Sequence, residues 1–251
     1  MRLFRLLVLL GMVSGGAGCG LPDSYFLRPP EVNIQASLLN PEFHISGRSA
    51  GSDTGATFQG YELYYKFYGN NTDTTFTSDS TSYGTGSTYT DLQQGGFQRL
   101  CLGPGSISGL VADTSAGFAS APLVPSDTVS IILNDPNPPP AVPLDVPISY
   151  YSTPAGYQEV RRFVTLPSGS GCKTFRSNAD SLIDNFDPAL NDADLSGSAG
   201  LTIWNQVTTI NSGYIYVMMY ALSYGNSKFD GTPIYSSPVY LGYTKILVYR
   251  S

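Results

Sequence analysis

Twelve residues in the first third of the chain decide most of what it can fold into. Residues 57–68 read TFQGYELYYKFY and alternate from Tyr61 onward: Tyr61, Leu63, Tyr65 and Phe67 fall on one side, and Glu62, Tyr64, Lys66 and Tyr68 on the other. A repeat of two is the strand period, and no helix gathers such residues on one face. Glycine (27) and proline (18) are scattered through the 251 residues, so apolar runs end before they reach ordinary helix lengths.

Other segments continue the pattern. Residues 31–45 offer Val32, Ile34, Phe43 and Ile45 around a turn at Asn40-Pro41. Further strands are expected over 98–102, 128–133, 146–151, 159–166, 173–175, 201–204, 214–223 and 239–249. Residues 69–97 are nearly all Ser, Thr, Gly, Asn and Asp and read as a long polar loop or irregular hairpin. Residues 177–186 (SNADSLIDNF) are the exception: the Ser177/Asp180 spacing caps a short helix that Pro188 stops. Many short strands with Gly and Pro turns predict a mainly β chain built as an antiparallel sandwich. Residues 134–147 hold six prolines from Pro136 to Pro147, a crossover or a boundary within the 31–251 body. One enlarged sandwich and two smaller ones both fit.

Charge narrows the function. Charged residues are 13% of the chain, about half the ~25% usual for soluble proteins, and the net charge is −6. The longest basic run is Arg161-Arg162, which excludes a nucleic-acid surface of clustered cations.

The N-terminus assigns a compartment. Arg2 and Arg5 precede an apolar stretch from Leu6 to Val13, then small residues from Ser14 to Gly18, then Cys19. This is the layout of a secretory signal. The apolar stretch is far short of the ~20 residues that span a bilayer. The small residues before Cys19 resemble the lipobox of bacterial lipoproteins, in the looser form of spirochaete lipoproteins, with Gly16 three places before the cysteine. The resemblance implies cleavage after residue 18, a diacylglyceryl thioether and N-acyl (palmitate-type) chain on Cys19, and a short tether over 19–30. Loss of Arg2 and Arg5 takes the mature net charge to −8. The protein is then expected on a cell or outer membrane, lipid-anchored, facing periplasm or exterior.

Cys101 and Cys172 remain. Outside the cytoplasm an even pair reads as a disulfide closing a loop of ~70 residues, worth roughly 4 kcal/mol, or else as two unpaired buried thiols.

GYELYYKFY at residues 60–68 resembles the third strand of fibronectin type III domains. Ile215, Val217, Met219 and Ala221, then Gly225 and Ser236-Ser237-Pro238-Val239, resemble the sixth strand, its turn and the start of the seventh. Pro29-Pro30 with Val32, Phe43 and Ile45 fits the opening strands. The resemblance implies an immunoglobulin-like sandwich, here enlarged by a long insertion or doubled, with one short helix.

Candidate chemistry is sparse. His44 is the single histidine, inside a strand, and no Gly-x-Ser-x-Gly elbow presents a nucleophile. Glu62 and Glu159 read as solvent-facing strand acids rather than a glycosidase pair. Asp192, Asp194 and Ser196, followed by Gly197, reproduce the first half of a calcium loop, with Ile203 where the closing Glu belongs. No other cofactor is indicated beyond the lipid on Cys19. Tyr64 and Tyr68 on the outer strand face, with Tyr214, Tyr216, Tyr220 and Tyr224 on another, offer an aromatic platform for a glycan or an envelope protein, or else serve simply as good strand residues. The sequence therefore predicts an anchored, non-enzymatic structural or interaction module, with a carbohydrate-binding protein and an envelope hydrolase as alternatives.

Overall fold

The structure is a computed structural model that describes residues 25–49, 53–72, 74–102, 126–133, 150–153, 156–166, 169–174 and 214–247. Cys19, the calcium-loop residues Asp192, Asp194 and Ser196, the expected helix at 177–186, the strand at 201–204 and the Pro-rich run at 134–147 lie outside these. Among the described residues 45% are strand and 13% helix, so sheet pairing decides the architecture.

Ten strands occur among the described residues: β1 (Phe43–Ile45), β2 (Ala56–Tyr68), β3 (Gln98–Leu102), β4 (Val129–Ile132), β5 (Tyr150–Thr153), β6 (Gly156–Leu166), β7 (Gly169–Thr174), β8 (Tyr214–Ser227), β9 (Pro233–Tyr235) and β10 (Val239–Leu247). Two helices, α1 (Thr74–Ser82) and α2 (Tyr89–Gln94), join β2 to β3. All named strand pairs are antiparallel, in the order β1-β4-β5-β6-β3-β2-β8-β10, with β7 beside β6 and β9 beside β8. β4 and β5, on either side of the Pro-rich residues, pair with each other through Ser130↔Ser152.

The path curls so that β1 and β4 lie over β2, β8 and β10, giving a sandwich. Phe43, Ile45, Val129 and Ile131 from one layer pack with Tyr61, Leu63, Tyr65, Phe67, Ile215, Val217, Met219 and Ala221 from the other. Each large apolar side chain buried here stabilises by ~1.5–3 kcal/mol. The alternation read from residues 61–67 is the inward set.

The edge of β10 is tied to the N-terminal segment. Ala36 N–H donates to Leu241 O (2.7 Å) and Tyr243 N–H to Ala36 O (3.1 Å). Gly242 sits at the crossing with φ 105°, where a Cβ would stand 2.2 Å from Ala36 O. Only glycine permits that approach. Upstream, Glu31 bonds Ser46 and Gly47, so residues 31–36 bridge from the flank of β1 to β10.

The expected long loop at 69–97 is corrected. Residues 74–82 and 89–94 are helices lying on the outer face of β2 and β8. α2 starts at Thr88, whose hydroxyl accepts from Asp91 N–H while the Asp91 carboxylate accepts from Thr88 N–H. That reciprocal cap is legible as Thr-x-x-Asp. α1 has no apolar stripe; only Phe76 and Asp79 turn inward.

Cys101 on β3 stands opposite Arg161 of β6, and Cys172 on β7 opposite Phe163 of the same strand. Arg161 pairs with Cys101 on one side and Thr174 on the other, so β6 runs between the two cysteine strands. Two strand spacings, ~10 Å, exceed the ~7 Å limit for the Cα atoms of a disulfide.

Candidate functional site

Of the two readings of the tyrosines on the outer face of β2 and β8, exposed platform or plain strand packing, the structure shows packing at Tyr64, Tyr68 and Tyr220. Tyr64 is 1% exposed and Tyr68 3%, and Tyr220 is fully buried. With Phe76, Leu92, Phe97, Met218 and Leu222 they form a second core between the sheet and the helix pair. The rings meet edge to face: Tyr68 on Phe76 at 5.0 Å, Tyr220 on Phe97 at 5.3 Å and Tyr83 on Tyr220 at 5.6 Å. β2 is thus covered on both faces, whereas its sequence reads as half-buried.

Two buried acids hold this layer. Asp79 of α1 accepts from Lys66 Nζ (2.6 Å) and from Tyr68 Oη (2.7 Å), and its backbone carbonyl accepts from Tyr220 Oη (2.6 Å). Lys66 Nζ also donates to Gly95 O (2.7 Å), past the end of α2. One lysine on β2 therefore fastens both helices. The second acid is Glu62, buried rather than solvent-facing as expected, which accepts from Arg99 Nη1 (3.1 Å) and Tyr64 Oη (2.9 Å). Burial pushes the Glu62 carboxyl up, and Arg99 with the Tyr64 hydroxyl draws it partly back. Burial, with Asp79 beside it, pushes the Tyr68 hydroxyl far above the ordinary tyrosine range, and burial with Glu62 does the same to Tyr64. A third pair, Arg48 with Asp53, lies at the start of β2, with the guanidinium 4.1 Å over the Phe58 ring.

His44 invites a catalytic comparison. Its Nδ1 lies 3.1 Å from Ser130 Oγ across the β1–β4 pair and 3.6 Å from Glu42 Oε1. A serine–histidine–acid relay needs the two partners on opposite ring nitrogens, so that one takes the hydroxyl proton while the other is held by the acid. Here both face the same nitrogen, and the contact ties β1 to β4.

Uncovered aromatic surface survives at the margin of the second core. Tyr89, the first residue of α2, is 36% exposed and lies 4.6 Å from Tyr235 of β9 at 41°, while Tyr235 lies 5.3 Å from Tyr224 of β8 at 50°. Tyr224 and Tyr235 are half-buried. Burial, with the Glu62 charge behind it, pushes the Tyr235 hydroxyl up to about 12. Three rings in tilted succession make a small aromatic shelf, the kind of surface suited to stacking on the apolar face of a planar or ring-shaped ligand. Of these three, sequence reasoning named Tyr224 alone. Tyr89 gave one available signal, its place just after the Thr88 cap.

No protein-family model, curated protein or solved structure matches this chain.

Proposed function

We propose that the chain is a lipid-anchored envelope lipoprotein whose β-sandwich serves as a non-catalytic structural or interaction module. The observation that carries this reading is the Arg2/Arg5, Leu6–Val13, small-residue and Cys19 succession, followed within seven residues by Phe26, which already pairs with Thr54. A lipobox cysteine placed that close in sequence to the Phe26–Thr54 bridge leaves a short tether and a body held near the bilayer. The order β2-β8-β10 supports the fibronectin type III comparison, because it sets the third, sixth and seventh strands of that scheme side by side. Intact mass of the membrane-extracted protein tests the anchor. The expected mass begins at Cys19 and carries acyl chains; a chain with an unmodified Cys19 overturns it.

The Tyr89–Tyr235–Tyr224 shelf favours a second reading, carbohydrate binding by surface tyrosines. Glycan-array or peptidoglycan retention should fall on Tyr89→Ala while Leu39→Ala, on the tip of another loop, leaves it unchanged. Equal retention of both variants refutes the shelf as a glycan site.

A further inference from the structure

A tight turn between β8 and β9 presents a large apolar ring to solvent. Phe229 is 86% exposed, yet the turn that carries it is fastened at every step. Ser227 Oγ accepts from the N–H groups of Phe229 (3.1 Å) and Asp230 (3.3 Å). Asp230 Oδ1 accepts from Thr232 N–H (3.1 Å) and Oγ1 (2.8 Å), and Gly231 N–H closes on Ser227 O (3.0 Å). Turn tips are ordinarily small and polar, so a large ring held on a firmly bonded tip calls for a reason, and its position supplies one.

The position of that tip selects the contact. Lys228 N–H donates to Gly55 O (2.8 Å), and the neighbouring Thr54 pairs with Phe26, which is 49% exposed. Phe26 and Phe229 therefore share one end of the sandwich, within ~15 Å by strand spacings. Phe26 follows Cys19 by seven residues, which reach about 25 Å at full extension. The aromatic end is thus the end at which the chain arrives from its lipid.

We propose that the Phe26–Phe229 end is a membrane-apposed face, with the Phe229 ring seated in the interface of the bilayer that holds the Cys19 acyl chains. The inference rests on the lipoprotein reading above. Aromatic rings favour the headgroup level, and a covalent lipid supplies the standing proximity that one ring alone does not. The charges beside the ring, Lys228 and Asp230, cancel, so the contact at the tip is apolar and its attraction does not depend on salt.

The test uses the full acylated chain in phosphatidylcholine vesicles with and without brominated acyl chains. Phe229→Trp is compared with Leu39→Trp, and the parent emission from the single native Trp204 is subtracted. Leu39 is 98% exposed and lies just past Ala36, which is level with Gly242, Met219 and Tyr65, ~30 Å from the Phe26 end. The expected result is a blue shift and bromine quenching at position 229, unchanged by salt, with neither at position 39. An acylated, vesicle-bound chain whose position 229 is unquenched overturns the inference and leaves the lipoprotein reading standing. Equal quenching at both positions also overturns it, as does a blue shift without vesicles that grows with protein concentration, which assigns the tip to a second copy of the chain. A chain without acyl groups on Cys19 overturns both readings.

Discussion

Raising the pH should unfold this protein in one step between about pH 11 and 12. The four tyrosines Tyr61, Tyr64, Tyr68 and Tyr220 are buried, and burial pushes each hydroxyl well above the ordinary value near 10. A group whose folded pKa is raised contributes stability below its unfolded pKa and loses it as pH climbs toward the folded value. Above pH 10 the unfolded chain releases these protons and the folded chain keeps them, so each buried tyrosine costs ~1.4 kcal/mol of stability by about pH 11 and ~2.7 by about pH 12. Four together remove ~5–6 and then ~11 kcal/mol, against the ~5–15 kcal/mol that holds a domain. The more exposed Tyr235 and Tyr240, pushed up to about 12 by burial first, add to the same slope. Tyrosinate absorbance followed together with far-ultraviolet circular dichroism reads this directly. Exposed tyrosines should titrate near pH 10 with the sheet intact, and the buried set should follow as a steep step coincident with loss of structure. Tyr61→Phe sharpens the test, because the Tyr61 hydroxyl is buried without a hydrogen-bond partner among the described residues. That variant should gain ~1 kcal/mol at neutral pH and move the alkaline midpoint upward. A smooth titration of every tyrosine near pH 10, with the dichroism unchanged, refutes the reasoning: the hydroxyls would then be open to water.

Four further outcomes are expected. Asp79→Ala leaves Lys66 and the Tyr68 hydroxyl without their shared acceptor and should lower denaturant-measured stability by ~3–5 kcal/mol, with hydrogen exchange rising first in residues 74–82. Gly242→Val forces a side chain into Ala36 O at a left-handed φ and should cost at least ~2 kcal/mol, or detach residues 31–36 as seen by protease cleavage there. Thr88→Ala removes the α2 cap and should cost ~1 kcal/mol by thermal melting, while Thr88→Asp should retain most of it. Residues 25–251, denatured without reductant, should titrate two free thiols from Cys101 and Cys172; zero thiols would mean that the strand register around β6 differs.

The inner core was legible because period two is unambiguous where one face is uniformly apolar. Tyr61, Leu63, Tyr65 and Phe67 needed no further information, and the same holds for Ile215, Val217, Met219 and Ala221. β3 was readable to its ends, since Gly95-Gly96 punctuates residues 98–102 on one side. The outer face was misread for a physical reason. Glu62, Tyr64, Lys66 and Tyr68 are polar enough to stand in water, and alternation states only which residues share a face, not whether something covers it. What covers it is α1, whose TTFTSDSTS has poor helix propensity and no stripe. Its helicity follows from two tertiary anchors, the Phe76 ring on Tyr68 and the Asp79 carboxylate on Lys66. Those partners are distant in sequence, so no local pattern announces them.

The abundance of tyrosine then has a structural cause. A layer between a sheet and two short polar helices needs side chains with an apolar body and a polar tip, because a phenylalanine layer would leave Asp79 and Glu62 buried without their hydroxyl donors. Tyr64, Tyr68 and Tyr220 meet both demands: their rings pack edge to face while their hydroxyls reach an acid or a helix carbonyl. The same requirement limits where tyrosine can serve a ligand. A ring whose hydroxyl is already given to Asp79 or Glu62, and whose faces are covered by α1 and α2, has nothing left to offer a sugar. Recognition by stacking must therefore use rings whose hydroxyls and faces are not taken up in that layer, and Tyr89 at the start of α2, with Tyr224 and Tyr235, stands at its margin as one exposed ring beside two half-buried ones.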